Sequence, residues 1–214
     1  MKYLKLFENF NSSEIDAICK EYDIYYYTIN SDGSIDVDED VDLLGDELTK
    51  LPLKFNKVYG SFDCGDNKLT TLEGSPNYVG DNFNCSDNEL TNLIGGPKEV
   101  GGYFDCSDNK LTSLDGCPKE VICGFHCADN KLTTLEGCPK VDGFFNDCGN
   151  PISKITDLFD FEVKYYLEYQ ETYNFLRKDC KIVRHLLEEA LKDFNEYYKK
   201  QVELPEKIEG YTYI

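Results

Sequence analysis

The fold that this sequence predicts is an α+β solenoid of about six stacked coils, with a short parallel β-sheet along its concave face. Three observations predict it. Cys64, Cys85, Cys106, Cys127 and Cys148 follow one another at intervals of 21 residues, and Asn67, Asn88, Asn109 and Asn130 keep the same interval. A whole unit, F-x-C-x-D-N-x-L-T-x-L-x-G-x-P-x-x-V, recurs around them, as in Phe104, Cys106, Asp108, Asn109, Leu111, Leu114, Gly116, Pro118 and Val121. A fixed period of this length marks a chain of units that bury their apolar faces only against neighbouring copies.

The unit itself explains the coil. Phe and Cys alternate along a short strand, so both point inward and stack on their copies. The Asn amide offers both donors and an acceptor, which suits a turn leaving the strand. Gly and Pro reverse the chain on the convex side and prevent a regular helix there. Shifting the pattern back by one period places Val41 and Leu43 in the Phe and Cys columns, Asp46 in the Asn column, and Leu48 and Leu51 in the Leu columns. Asn150 follows Asn130 by only 20 residues, so Phe145 and Asp147 take the Phe and Cys columns and Cys148 slides outward. An acid in a core column marks a terminal coil.

The solenoid therefore covers residues 41–158. Residues 1–40 form an N-terminal cap: a helix capped by Ser13, with Asp16 three residues on, then a hairpin. The hairpin joins two alternating runs, DIYYYTI and SIDVDEDVDL, through Asn30-Ser31-Asp32-Gly33. The second run puts Ile35, Val37, Val41 and Leu43 on one face. Residues 159–214 form a helical C-terminal cap. One helix is expected over residues 156–169 and another from an Asp179 cap to Tyr198, with a strand in the tail GYTYI.

The repeat resembles the leucine-rich repeat in its short bacterial form, with Phe and Cys standing for two of the leucines and Pro after each Gly. The N-terminal KYLKLFENF, the hairpin, the repeats and the closing EGYTYI together resemble leucine-rich-repeat proteins of tailed bacteriophages and some bacteria. The resemblance implies an architecture and a viral source, and no activity. Residues 1–10 are also similar to the short capsid-targeting peptides of phage internal head proteins, which implies a virion location as an alternative to the host cytoplasm.

Charge narrows the partners. Forty-one acidic residues against 22 basic ones give a net charge of −19. Proteins that track phosphate backbones neutralise them with Lys and Arg, so nucleic acid is not the expected partner, and an anionic membrane surface is excluded on the same ground. No apolar run reaches the length of a transmembrane helix, and the N-terminus lacks a secretory core. A cytoplasmic chain with reduced cysteines follows.

Candidate sites sort by chemistry. The cysteine columns read as core filling, because buried Cys behaves as a small hydrophobe. Cys123, His126 and Cys127 lack the paired spacing of a zinc site. Asp66, Asp87, Asp108 and Asp129 form an acidic ladder that is a weak calcium candidate, against the reading that Asp-Asn closes each turn locally. Bacterial effectors with such repeats carry a ubiquitin-ligase Cys followed two residues later by Asp. Here Cys180 is followed by Lys181 and Ile182, so no enzyme and no cofactor is expected. The expected binding residues flank Phe and Cys on the concave face: Asp63, Asn82, Asn84, Tyr103, Asp105, His126, Phe144 and Asn146. Tyr103, His126 and Phe144 make a semi-aromatic patch bordered by Asp63 and Asp105, the make-up of an interaction hot spot. The expectation is a non-catalytic interaction module that binds or sequesters a protein, favouring a basic one.

Overall fold

Each repeat folds into two strands, not one. The computed structural model of the chain describes residues 10–159, 163–177 and 180–214. The first strand of each repeat ends at the Val column: β2 (Ile35–Val37), β4 (Phe55–Val58), β6 (Tyr78–Val79), β8 (Glu99–Val100), β10 (Glu120–Val121) and β12 (Lys140–Val141). The second carries the Phe column: β3 (Val41–Asp42), β5 (Phe62–Asp63), β7 (Phe83–Asn84), β9 (Tyr103–Asp105), β11 (Gly124–His126) and β13 (Phe144–Asn146). The even-numbered strands pair in parallel as one sheet, which β1 (Tyr27–Ile29) extends to seven by pairing antiparallel with β2. The odd-numbered strands from β3 to β13 form a parallel six-stranded sheet.

The chain is a parallel β-solenoid in which six strand pairs mark out five complete turns. The expected single sheet was half of what the repeat builds. The missed half is the Pro-x-x-Val segment, where the buried Pro and Val stand three residues apart, a spacing that gives no strand alternation to read. Between the two strands the chain turns a corner so tight that backbones touch. A Cβ on Gly101 would lie 2.0 Å from the Gly80 carbonyl oxygen of the previous turn.

The core is a set of columns. Phe62, Phe83, Phe104 and Phe125 are all fully buried, and consecutive rings from Phe62 to Phe145 lie 5.0–5.8 Å apart. Cys64, Cys85, Cys106 and Cys127 line a second column, and Leu69/Leu90/Leu111/Leu132 and Leu72/Leu93/Leu114/Leu135 line two more. Each fully buried aromatic or aliphatic side chain stabilises by about 1.5–3 kcal/mol relative to exposure.

The asparagine ladder satisfies the backbone groups at the strand exits, while the buried Ser75 hydroxyl has no hydrogen-bond partner among the described residues. Asn109 Nδ2 donates to the carbonyls of Cys106, Ser107 and, one turn back, Cys85; its Oδ1 accepts the Leu90 N–H at 2.9 Å. Asn67, Asn88, Asn130 and Asn150 repeat this pattern, so every amide ties two turns together. Asp147 does occupy a core position on the last turn, 9% exposed, and accepts a 2.7 Å hydrogen bond from Thr156 Oγ1.

The flanks differ from expectation in four places. Helix α1 runs Ser12–Glu21, and its cap is Asn11, not Ser13: Asn11 Oδ1 accepts the Glu14 N–H while Glu14 accepts the Asn11 N–H. Asn at that position competes better than Ser13 because Glu14 stands three residues on and completes the reciprocal pair. The run from Ser34 to Leu43 is not one strand. It breaks at residues 38–40 and passes from one sheet to the other.

At the C-terminus the helix expected over residues 156–169 does not form as one element: α2 (Ser153–Thr156) leads through a 3-10 turn at Asp157–Phe159, and α3 spans Val163–Tyr173. Helix α4 begins at Arg184 and ends at Tyr198, later than expected, because Lys181–Ile182 form β14 and pair in parallel with β15 (Thr212–Tyr213). Asp179, the expected cap, and the similarity at residues 1–9 to capsid-targeting peptides lie outside the described residues. Phe159, Phe175 and Phe194 pack together beyond the last turn, with centroid distances of 5.4–5.8 Å from Phe159. Tyr211 reaches back to donate to the Thr133 carbonyl at 2.8 Å.

Candidate functional site

The outer face of the six-stranded sheet collects all eight expected binding residues, but they do two different jobs. One column runs Asp42, Asp63, Asn84, Asp105, His126 and Asn146, each the register partner of the next. In five of these six the side-chain oxygen accepts the backbone N–H two residues on: Leu44, Gly65, Ser86, Ser107 and Cys148 respectively, at 2.9–3.1 Å. This is the local turn that short Asx side chains make with their own backbone. The Asp and Asn preference of the column is thus structural at its root. The exception is His126, whose ring is left to face outward.

The neighbouring column runs Asp40, Ser61, Asn82, Tyr103, Gly124 and Phe144. Its first members substitute for missing ladder bonds: Asp40 Oδ1 accepts the Ser61 N–H, Ser61 Oγ the Asn82 N–H, and Asn82 Oδ1 the Tyr103 N–H. Asn82 is committed to the scaffold by that bond. Tyr103 and Phe144, 48% and 57% exposed, are the members that project.

Tyr103, His126 and Phe144 come together as one cluster. The Tyr103 and His126 ring centroids are 6.1 Å apart and nearly perpendicular, and those of His126 and Phe144 are 5.1 Å apart. Gly124 makes this possible and was missed in the sequence. It pairs with Tyr103 on one side and Phe144 on the other, and a Cβ there would sit 2.9 Å from two Tyr103 ring carbons. A side chain at this position would push the Tyr103 ring off the sheet; the signal was a lone Gly where the other repeats carry side chains. Asp105 borders the cluster. Its Oδ1 accepts from the Ser107 N–H and hydroxyl, and its Oδ2 lies 3.9 Å from His126 Nδ1. No Lys or Arg occupies either column, nor the next one outward, Leu44, Gly65, Ser86, Ser107, Ala128 and Cys148.

The metal candidates separate. Asp66, Asp87, Asp108 and Asp129 are all exposed and all left-handed, with φ of 50–53°. Asp and Asn tolerate that region better than other side-chain-bearing residues, which accounts for the ladder without an ion. Burial and the flanking Asp87 and Asp129 push the Asp108 carboxyl above its ordinary value. Cys127 is buried while Cys123 is exposed on the corner, so the Cys123/His126/Cys127 trio does not converge. Among the described residues no group of three or more His, Cys, Asp or Glu is placed to hold a metal ion, and no helix is long and apolar enough to cross a membrane.

The core thiols are poorly ionised. Burial pushes Cys64, Cys85, Cys106 and Cys127 well above the ordinary thiol value, and Cys138 up to about 12. Compared with protein-family models, with curated proteins and with solved structures, the chain gives no match in any of the three.

Proposed function

We propose that the chain is a leucine-rich-repeat-type solenoid, closed by its N-terminal helix and hairpin and by its C-terminal helices, that acts as a protein interaction module. Its partner is a basic protein, engaged through the outer face of the six-stranded sheet. One observation carries the reading: Tyr103, His126 and Phe144 form a contiguous exposed aromatic patch on a face that holds acids and no Lys or Arg. Exposed aromatics at the centre of a charged rim supply most of the energy of protein interfaces. The acidic surround adds encounter rate and selectivity for a cationic partner.

The core-column thiols, buried and with raised pKa values, are poor nucleophiles and fit a packing role. The resemblance of the repeats and termini to phage leucine-rich-repeat proteins favours a partner in the host cytoplasm, bound or sequestered there. A photo-crosslinking residue at position 103, compared with one at Lys57 on the other sheet, tests the proposal in host lysate. Proteins trapped at position 103 and not at position 57, and lost when His126 and Phe144 are both changed to Ala, support it. The same capture at both positions, or capture indifferent to those changes, defeats it.

A further inference from the structure

We infer that the three-ring cluster is an arginine anchor: the guanidinium of an Arg side chain on an extended, basic segment stacks over the Tyr103 and Phe144 rings and donates to Asp105. This rests on the binding role proposed above and specifies what the face recognises. The rings are exposed but not scattered, since Gly124 lets Tyr103 lean across β11 towards Phe144, and His126 bridges the two within about 6 Å. Tyr103 meets His126 edge-to-face and His126 tilts against Phe144, beside a carboxylate whose orientation is set. With Oδ1 of Asp105 held by both Ser107 groups, Oδ2 is the atom turned towards the cluster.

The cation that this arrangement lacks has to come from outside. The basic residues near the sheet, Lys68, Lys110 and Lys131, follow the ladder asparagines at its rim, and the first two pair with Glu47 and Glu89. Asp40, Asp42 and Asp63 extend the acidic charge along the same two columns, which suits further basic residues on the same segment. Arginine fits better than lysine for a geometric reason. A planar guanidinium stacks on a ring while its in-plane N–H groups reach a carboxylate, whereas a strongly hydrated ammonium is a point charge that gains less from the ring.

The test is a titration of the isotope-labelled full chain, followed by backbone amide shifts, with the acetylated and amidated pentapeptide Gly-Arg-Gly-Arg-Gly. The Lys and the citrulline versions of the same peptide serve as comparisons. The expected result is shifts centred on the amides of Tyr103, Gly124 and His126, with the Arg peptide binding roughly 3–10-fold tighter than the Lys peptide and the citrulline peptide weakest. Tyr103→Ala and Asp105→Asn should each weaken the Arg peptide several-fold while leaving the remaining spectrum in place. Equal binding of Arg and Lys peptides, binding of citrulline as tight as Arg, shifts centred elsewhere, or no shifts each overturn the anchor. The broader binding role fails separately. A partner crosslinked at position 103 that excess Arg peptide does not displace sinks the anchor alone, while Arg-selective shifts without any crosslinked partner sink the broader role alone.

Discussion

Asn109 shows how much of this fold hangs on single amides. Buried at 8% exposure, it serves three carbonyls and one N–H across two turns. Each buried polar group left unmet costs about 1–3 kcal/mol. Asn109→Ala should therefore lower stability by about 2–4 kcal/mol in urea unfolding, with no change in the exposed face. Asp108 beside it makes a different demand, on the backbone, because its φ is 53°. Asp108→Ala should cost about 1 kcal/mol, while Asp108→Gly stays near wild type, since glycine adopts that region freely. If instead Ala and Gly behave alike, the left-handed backbone is not what selects Asp there. The sequence showed that these two residues mattered by their period. It did not show which was held for its side chain and which for its backbone.

At the scale of the element, each turn is a pair of short strands joined by a glycine-rich corner, and the strands owe their stability to stacking. A strand of two or three residues has almost no order of its own. Its length is legible only when Phe, Cys and Asn repeat often enough to be stacked. The Phe strand was readable because two inward residues alternate; the Val strand was not, because its buried Pro and Val are three residues apart.

Gly124 on β11 gives the element-level prediction for the candidate site. Gly124→Ala should displace the Tyr103 ring, visible as lost contacts between Tyr103 and His126 protons in nuclear Overhauser spectra, and should strain the β11–β13 pairing, because a Cβ there also lies 2.9 Å from the Phe144 carbonyl oxygen. Binding at the face should weaken with it. An unchanged Tyr103 environment would mean that the close approach of ring and backbone, 2.9 Å to a Cβ, is relieved elsewhere.

Across the whole molecule the ends of the solenoid and its charge set the terms. Asp147 closes the last turn with a carboxyl that burial pushes above its ordinary value of 3.8. Below that value both folded and unfolded chains hold the proton and the residue costs nothing. From that value up to the raised one the unfolded chain loses its proton while the folded chain keeps it, so stability falls, and above the raised value it stays at the lower level. Asp147→Asn should thus melt higher than wild type at pH 7, with the gap closing as pH drops towards 4; a constant gap would assign the effect to packing. A net charge of −19 also opposes compaction, so NaCl should raise the melting temperature. If the Asp ladder is only a backbone device, Ca²⁺ should add no more than Mg²⁺ at equal concentration. A Ca²⁺-specific, chelator-reversible rise would restore a metal role.

The sequence by itself determined the stacked-repeat class, the core columns and the exposed residues of the face, because period and alternation are properties of chain order. Only the tertiary structure decided that the repeat winds through two sheets, that Asn82 belongs to the scaffold, and that Tyr103, His126 and Phe144 meet over Gly124. Those depend on distances between residues about 20 positions apart, and stacking in space, not order along the chain, sets such distances.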